Sequence, residues 1–211
     1  TPVQDLTTGS HNLTATATDP AGNTGPASGA WNVIIDTTAP NTPFITTVTD
    51  NAGSVTGTLV VGQPTDDTTP TLNGTAEANA TVRIYDNGVE IGNVRADSAG
   101  NWTYTPTLAE GTHTLTARAV DAAGNTSSAS AVTTVTIDLT PPAVPTDLTV
   151  NATGNIVTGR AEPGSTVTIL SATGTVLGTG VTDGLGNFTA TLTPAQVNGE
   201  ALQARATDVA G

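Results

Sequence analysis

The residues of this sequence that could do chemistry are acidic, and they recur. Glu77, Asp97 and Asp121 stand in one stretch of the chain, and Glu162, Asp183 and Asp208 hold the matching positions of a later one. Asp36 and Asp138 each close an alternating segment that runs into a Pro-rich boundary, while Asp66 and Asp67 sit side by side in a polar run. Carboxylates, with main-chain carbonyls and Asn side chains, make an all-oxygen ligand set. Such a set suits Ca²⁺, which accepts many oxygens in a flexible geometry, better than Zn²⁺ or Cu²⁺. A second reading of the same residues needs no ion. Asp-x-x-Gly-Asn closes a turn by itself, and a solvated loop accounts for Asp66 and Asp67 equally well. There is neither an EF-hand spacing nor a Gly-Gly-x-Gly-x-Asp repeat.

Composition excludes several other chemistries. The net charge is −13, from 18 acidic residues against five basic ones, all of them Arg. Nucleic acid is therefore excluded as a partner, since little here could displace its counterions. The chain has no Cys, so disulfides and thiolate metal sites are ruled out. No apolar run is long enough to span a membrane, which argues against direct membrane insertion by this segment. His11 and His113 fall at equivalent positions on alternating segments and read as structural side chains, and no Ser-His-Asp arrangement accompanies them. No catalysis is expected. The Asn-x-Ser/Thr triplets at Asn12, Asn79, Asn101, Asn125, Asn151 and Asn187 are what a Thr-rich chain produces by chance, and Trp31 and Trp102 read as core anchors.

The elements that must position these acids are strands in a repeated order. The stretch Gly111–Pro145 is an alternating strand, an Asp-x-x-Gly-Asn turn, a second alternating strand, an Asp and a Pro-rich boundary. The stretch Gly9–Pro43 carries the same text. Asp19 maps to Asp121, Asp36 to Asp138 and Pro40 to Pro142, a constant offset of about 102 residues. A third copy begins at Gly199. Residues 1–38 are then the C-terminal part of one repeat, 39–140 a complete repeat, and 141–211 a repeat lacking its last strand. Within the complete repeat, alternation predicts strands over Phe44–Thr49, Thr71–Ala76, Thr81–Tyr85, Val89–Ala96, Trp102–Thr105, Thr112–Asp121 and Val132–Asp138. Asn87-Gly88 marks a tight hairpin. Short strands with turns every 8–12 residues predict an all-β fold: seven-stranded, Greek-key, immunoglobulin-like sandwiches in a linear array.

Strands that run up and down place every second turn at the same pole. The turns bearing Glu77, Asp97 and Asp121 share the pole nearest the preceding repeat, as do those bearing Glu162, Asp183 and Asp208. Asp36 and Asp138 end the repeats just before them. Each junction is thus expected to gather one strand-ending Asp with three acids of the next repeat, which repel unless a cation neutralises them. Asp66 and Asp67 lie at the opposite pole of their own repeat.

The text LTARAVDAAGNTS…VTIDLTPPAVP, with GTAEANATVRIYDNG and DSAGNWTYTP, resembles the bacterial Ig-like repeats of giant secreted adhesins, the biofilm-associated and RTX-type proteins of Gram-negative bacteria. The resemblance spans essentially the whole chain. It implies a type I-secreted, outer-membrane-anchored extracellular protein whose repeats extend a distal module toward a host, biotic or abiotic surface, with Ca²⁺ at the junctions stiffening the array. The partners implied within the chain are the neighbouring repeats. The alternatives are a module that itself binds glycan, ice or a cell surface, and an accessory domain of a secreted polysaccharide-active enzyme. Scarce aromatics weigh against glycan stacking.

Overall fold

The computed structural model describes residues 5–211, so residues 1–4 of the first repeat piece lie outside it. The chain is all-β. The first piece is a two-stranded ribbon of β1 (Gly9–Leu13) and β2 (Trp31–Ile35).

The complete unit contains β3 (Phe44–Asp50), β4 (Gly57–Thr58), β5 (Pro64–Thr65), β6 (Thr71–Thr75), β7 (Thr81–Asp86), β8 (Val89–Arg95), β9 (Asn101–Tyr104), β10 (Gly111–Val120) and β11 (Thr133–Ile137). These form two sheets, ordered β4-β3-β6-β9 and β5-β11-β10-β7-β8. The chain crosses between sheets after β4, β5, β6, β8 and β9, which makes the sandwich. Alternation selects the inner face: on β10, His113, Leu115, Ala117 and Ala119 are buried while Thr112 and Arg118 are exposed. Leu72, Val82, Ile84, Trp102, Leu115, Val135 and Ile137 meet between the sheets.

The last unit repeats this plan with β12 (Thr146–Val150), β13 (Ile156–Arg160), β14 (Thr166–Ser171), β15 (Val176–Val181), β16 (Asn187–Thr191) and β17 (Leu202–Thr207). Its sheets are β12-β13-β16 and β15-β14-β17, closed over Val157, Val167, Ile169, Phe188 and Leu192. One packing device recurs in both units. Gly74 lies opposite Trp102, and a Cβ there would fall 2.1 Å from the indole ring. Gly159 lies opposite Phe188, where a Cβ would fall 2.9 Å from the ring. A strand glycine in each case lets an aromatic ring lie flat on the backbone.

Three details depart from the sequence expectations. The polar excursion between Asp50 and Thr69 holds β4 and β5, and β5 pairs in parallel with β11. Strands of two residues have no periodicity to read, and Pro64 argues against a strand at all. The segment His11–Asp19 is regular only to Leu13. Its counterpart β10 continues to Val120 because Leu115–Val120 pair with β7, and no such neighbour flanks β1 among the described residues. Trp31 is no core anchor. It is 73% exposed, since a two-stranded ribbon has no opposing layer, whereas Trp102 is 3% exposed between two sheets.

Candidate interdomain site

The Asp-x-x-Gly-Asn turns have one geometry in four places. Asp19, Asp97, Asp121 and Asp183 each accept, through Oδ1, the main-chain N–H of the Asn four residues on, at 2.8–2.9 Å. The Gly before that Asn takes a positive φ in every copy: +93° at Gly22, +86° at Gly100, +93° at Gly124 and +83° at Gly186. At Asp19 and Asp121 the Asn side chain donates again to Oδ2, at 2.9 and 2.8 Å. These bonds favour the ionised carboxylate. The side chain of Asn23 holds the Asp19 carboxyl below its ordinary range, and that of Asn125 does the same for Asp121. Main-chain bonds, first from Asn101 and Asn187, lower Asp97 and Asp183. Turn closure therefore engages these acids whether or not an ion is present.

At the first junction, Asp36, Glu77 and Asp121 line one shallow hollow together with Arg95. Asp97 does not line it. The Asn125 side chain crosses the junction and donates to the Asp36 carbonyl at 3.1 Å. Asp36 itself caps its boundary segment, accepting the Thr38 N–H at 2.9 Å. The expected pole assignment thus brings three of the predicted acids into one place and leaves the fourth in its own turn.

At the second junction, Asp66, Asp138 and Asp208 line a hollow with Arg205 and Gly211. Asp138 and Asp208 were expected here; Asp66 arrives from the excursion of the preceding unit. Glu162 instead borders a separate hollow beside Arg160, and Asp183 is absent from the lining. Asp66 Oδ1 is buried without a hydrogen-bond partner. Burial raises the Asp66 carboxyl above its ordinary range, and the neighbouring charges of Asp50, Asp67 and Asp208 push the same way.

Asp67 is 1% exposed rather than solvated. It accepts the Asn51 N–H at 3.0 Å and the Thr69 N–H at 2.8 Å, so it folds the excursion back on itself. Asp50, also buried, accepts the Ala52 N–H and the Thr65 hydroxyl. Sequence reasoning passed over Asp50; the available signal was an Asp ending an alternating strand ahead of the Asp66-Asp67 pair. Among the described residues no three His or acidic side chains converge closely enough to be read as a formed metal cage.

His113 is structural, as its repeat position suggests. Nδ1 lies 2.7 Å from Asp86 Oδ2 and Nε2 lies 2.9 Å from the Ala109 carbonyl. Two acceptors on one imidazole call for two N–H donors, hence the imidazolium. Burial opposes that charge, but the Ala109 carbonyl and Asp86 outweigh it and raise the pKa.

Residues 42–139 match the bacterial Ig-like domain family and residues 141–211 the bacterial Ig domain family. No curated protein matches the chain in sequence. Among solved structures, the chain is similar to the BSP domain of a biofilm-associated protein (TM-score 0.29, 21% identity), covering 68% of this chain and 25% of that one. It is similar to a tetra-tandem repeat in the extending region of a large adhesion protein (TM-score 0.34, 22% identity, 98% of this chain and 54% of that one). It is also similar to the FN1–FN3 domains of chicken CNTN1 (TM-score 0.40, 13% identity, 93% and 72%). The chain thus spans a quarter of the first of these structures. From residue 42 onward it is a tandem of bacterial Ig-like domains.

Proposed function

We propose that this tandem is a structural extender of a bacterial cell-surface adhesin, secreted and held outside the cell, with no catalytic role. The observation that carries the reading is end-to-end linkage of repeated units. The last turn of one domain meets the segment leading into that domain, through Asn125 and Asp36, and the next unit's last turn meets its predecessor. A spacer needs this serial arrangement, and its working parts are the junctions. Adhesion itself then belongs to a distal module, and the partners of this segment are neighbouring repeats. The test is length: adding repeats should raise the maximum dimension by one domain length each, and a dimension that saturates would contradict a spacer.

Ca²⁺ is the cation proposed for the junctions. The donor types present suit such an ion, which would have to draw the three acids of each hollow together, since they do not converge as they stand. The donors are all oxygen, several are carboxylates, and Asp66 Oδ1 is desolvated with nothing to bind. Asp36, Glu77 and Asp121 would hold it at the first junction, and Asp66, Asp138 and Asp208 at the second. Bound there, the ion would neutralise mutually repelling carboxylates of two domains and couple their orientations. The remaining acids serve as turn formers (Asp97, Asp183), as a buried brace of the excursion (Asp67) or as a rim charge (Glu162). Ca²⁺ is expected to raise the thermal midpoint by binding the native state; no shift at millimolar Ca²⁺ would remove the metal from the proposal.

A further inference from the structure

The excursion between β3 and β6 is long in the complete unit, whereas the last unit replaces it with the short turn Asn151–Asn155. The long form does more than close a loop. Its tip reaches out of its own domain, and the Ser54 hydroxyl donates to the Gly211 carbonyl in the last turn of the following domain, at 3.2 Å. Beside it, the Asp66 carboxylate is packed between two glycines, one from each domain. A Cβ at Gly53 would fall 1.9 Å from Asp66 Oδ2, and a Cβ at Gly211 would fall 3.1 Å from it. The contact therefore fits a turn that presents bare backbone at this point. The Asp-x-x-Gly turn of these repeats does so, with Gly211 in the place Gly124 holds in the preceding unit.

The tip is held from behind. Asp67 pins Asn51 and Thr69, Asp50 pins Ala52 and Thr65, and β5 is fastened to β11. A loop with that many internal ties transmits a push into its own sheet instead of bending away. We propose that the 51–69 excursion is an interdomain brace that grips the last turn of the next Ig-like domain, so that the long form holds its successor in a set orientation. The brace rests on the extender reading for its purpose, but its grip is built from protein groups and needs no ion.

The test uses the absence of Cys, which makes introduced labels unique. Spin labels at exposed Val89 and Val181 in the full chain report the distance across the second junction by pulsed electron resonance, in excess chelator. The brace predicts a narrow distribution in the parent chain, widened about twofold when Ser54→Ala and Asp66→Ala are combined, since few contacts cross such a junction. A broad distribution in the chelated parent overturns it, as does an unchanged width in the double variant. Should that variant lose its fold, Ser54→Ala alone decides in the same two ways. Failure of the brace leaves the scaling of length with repeat number intact, so the two readings fall separately.

Discussion

Asn125 donates one side-chain nitrogen to two acceptors: Asp121 Oδ2 in its own turn at 2.8 Å and the Asp36 carbonyl of the preceding segment at 3.1 Å. A turn-closing residue is thereby also a junction residue. Asn125→Ala should cost the fold about 1 kcal/mol, the net worth of such a bond. It should also loosen the first junction, where Asn125→Asp would add a charge beside Asp36. Residual dipolar couplings of the two flanking segments measure this; equal alignment in the variant would show that the bond carries no orientation.

Replacing Asp97 and Asp121 together by Asn separates turn closure from junction charge. Both turns keep a side-chain oxygen to accept the main-chain N–H groups, so the sandwich should stay folded. Only Asp121 lines the hollow, so the loss of interdomain rigidity should be matched by Asp121→Asn alone. If Asp97→Asn alone produces it, the assignment of Asp97 to its own turn is wrong.

Acid should weaken the fold through the same turns. Asp19, Asp97, Asp121 and Asp183 have folded-state values below the ordinary 3.8. Their stabilisation is therefore present above 3.8 and lost as the pH falls through the lowered values. Being at the surface, each contributes little, and urea titrations between pH 5 and 2 should show a gradual decline that Asp121→Asn makes shallower.

His113 gives the opposite slope. Its folded-state pKa is raised above 6.5, so its pairing stabilises the middle domain fully below 6.5. That stabilisation disappears as the pH rises through the folded value. His113→Gln should flatten stability on the alkaline side while leaving the acid side unchanged. A retained alkaline decline would place the titrating group elsewhere.

The core makes a simpler demand. Trp102→Ala empties the space over Gly74 and should cost about 3–5 kcal/mol. Gly74→Ala should be severe as well, because the new Cβ would fall 2.1 Å from both the indole and the Phe44 carbonyl. Chemical denaturation measures both.

The fold was legible because its strands alternate and its turns use residues with few alternatives. Asn87 and Gly88 take φ of 49° and 83°, as a tight hairpin requires. The pole argument placed Asp36, Glu77 and Asp121 together from strand direction alone. It does not put Asp97, Glu162 or Asp183 in the two hollows, because sharing a pole fixes where a turn lies and not whether its side chain faces the neighbour or its own amides. The excursion carries no strand signal because its strands are too short for periodicity. The burial of Asp50 and Asp67 depends on contacts with Thr65 and Asn51 that no local pattern encodes.

Small-angle X-ray scattering of the 211-residue chain, first with millimolar Ca²⁺ and then with excess chelator, tests the central claim most directly. A calcium-stiffened extender predicts one long maximum dimension with the ion and a broader, shorter distribution without it, with the second junction loosening less because of its brace. Superimposable curves in the two conditions would contradict calcium stiffening and leave the acids as formers of turns.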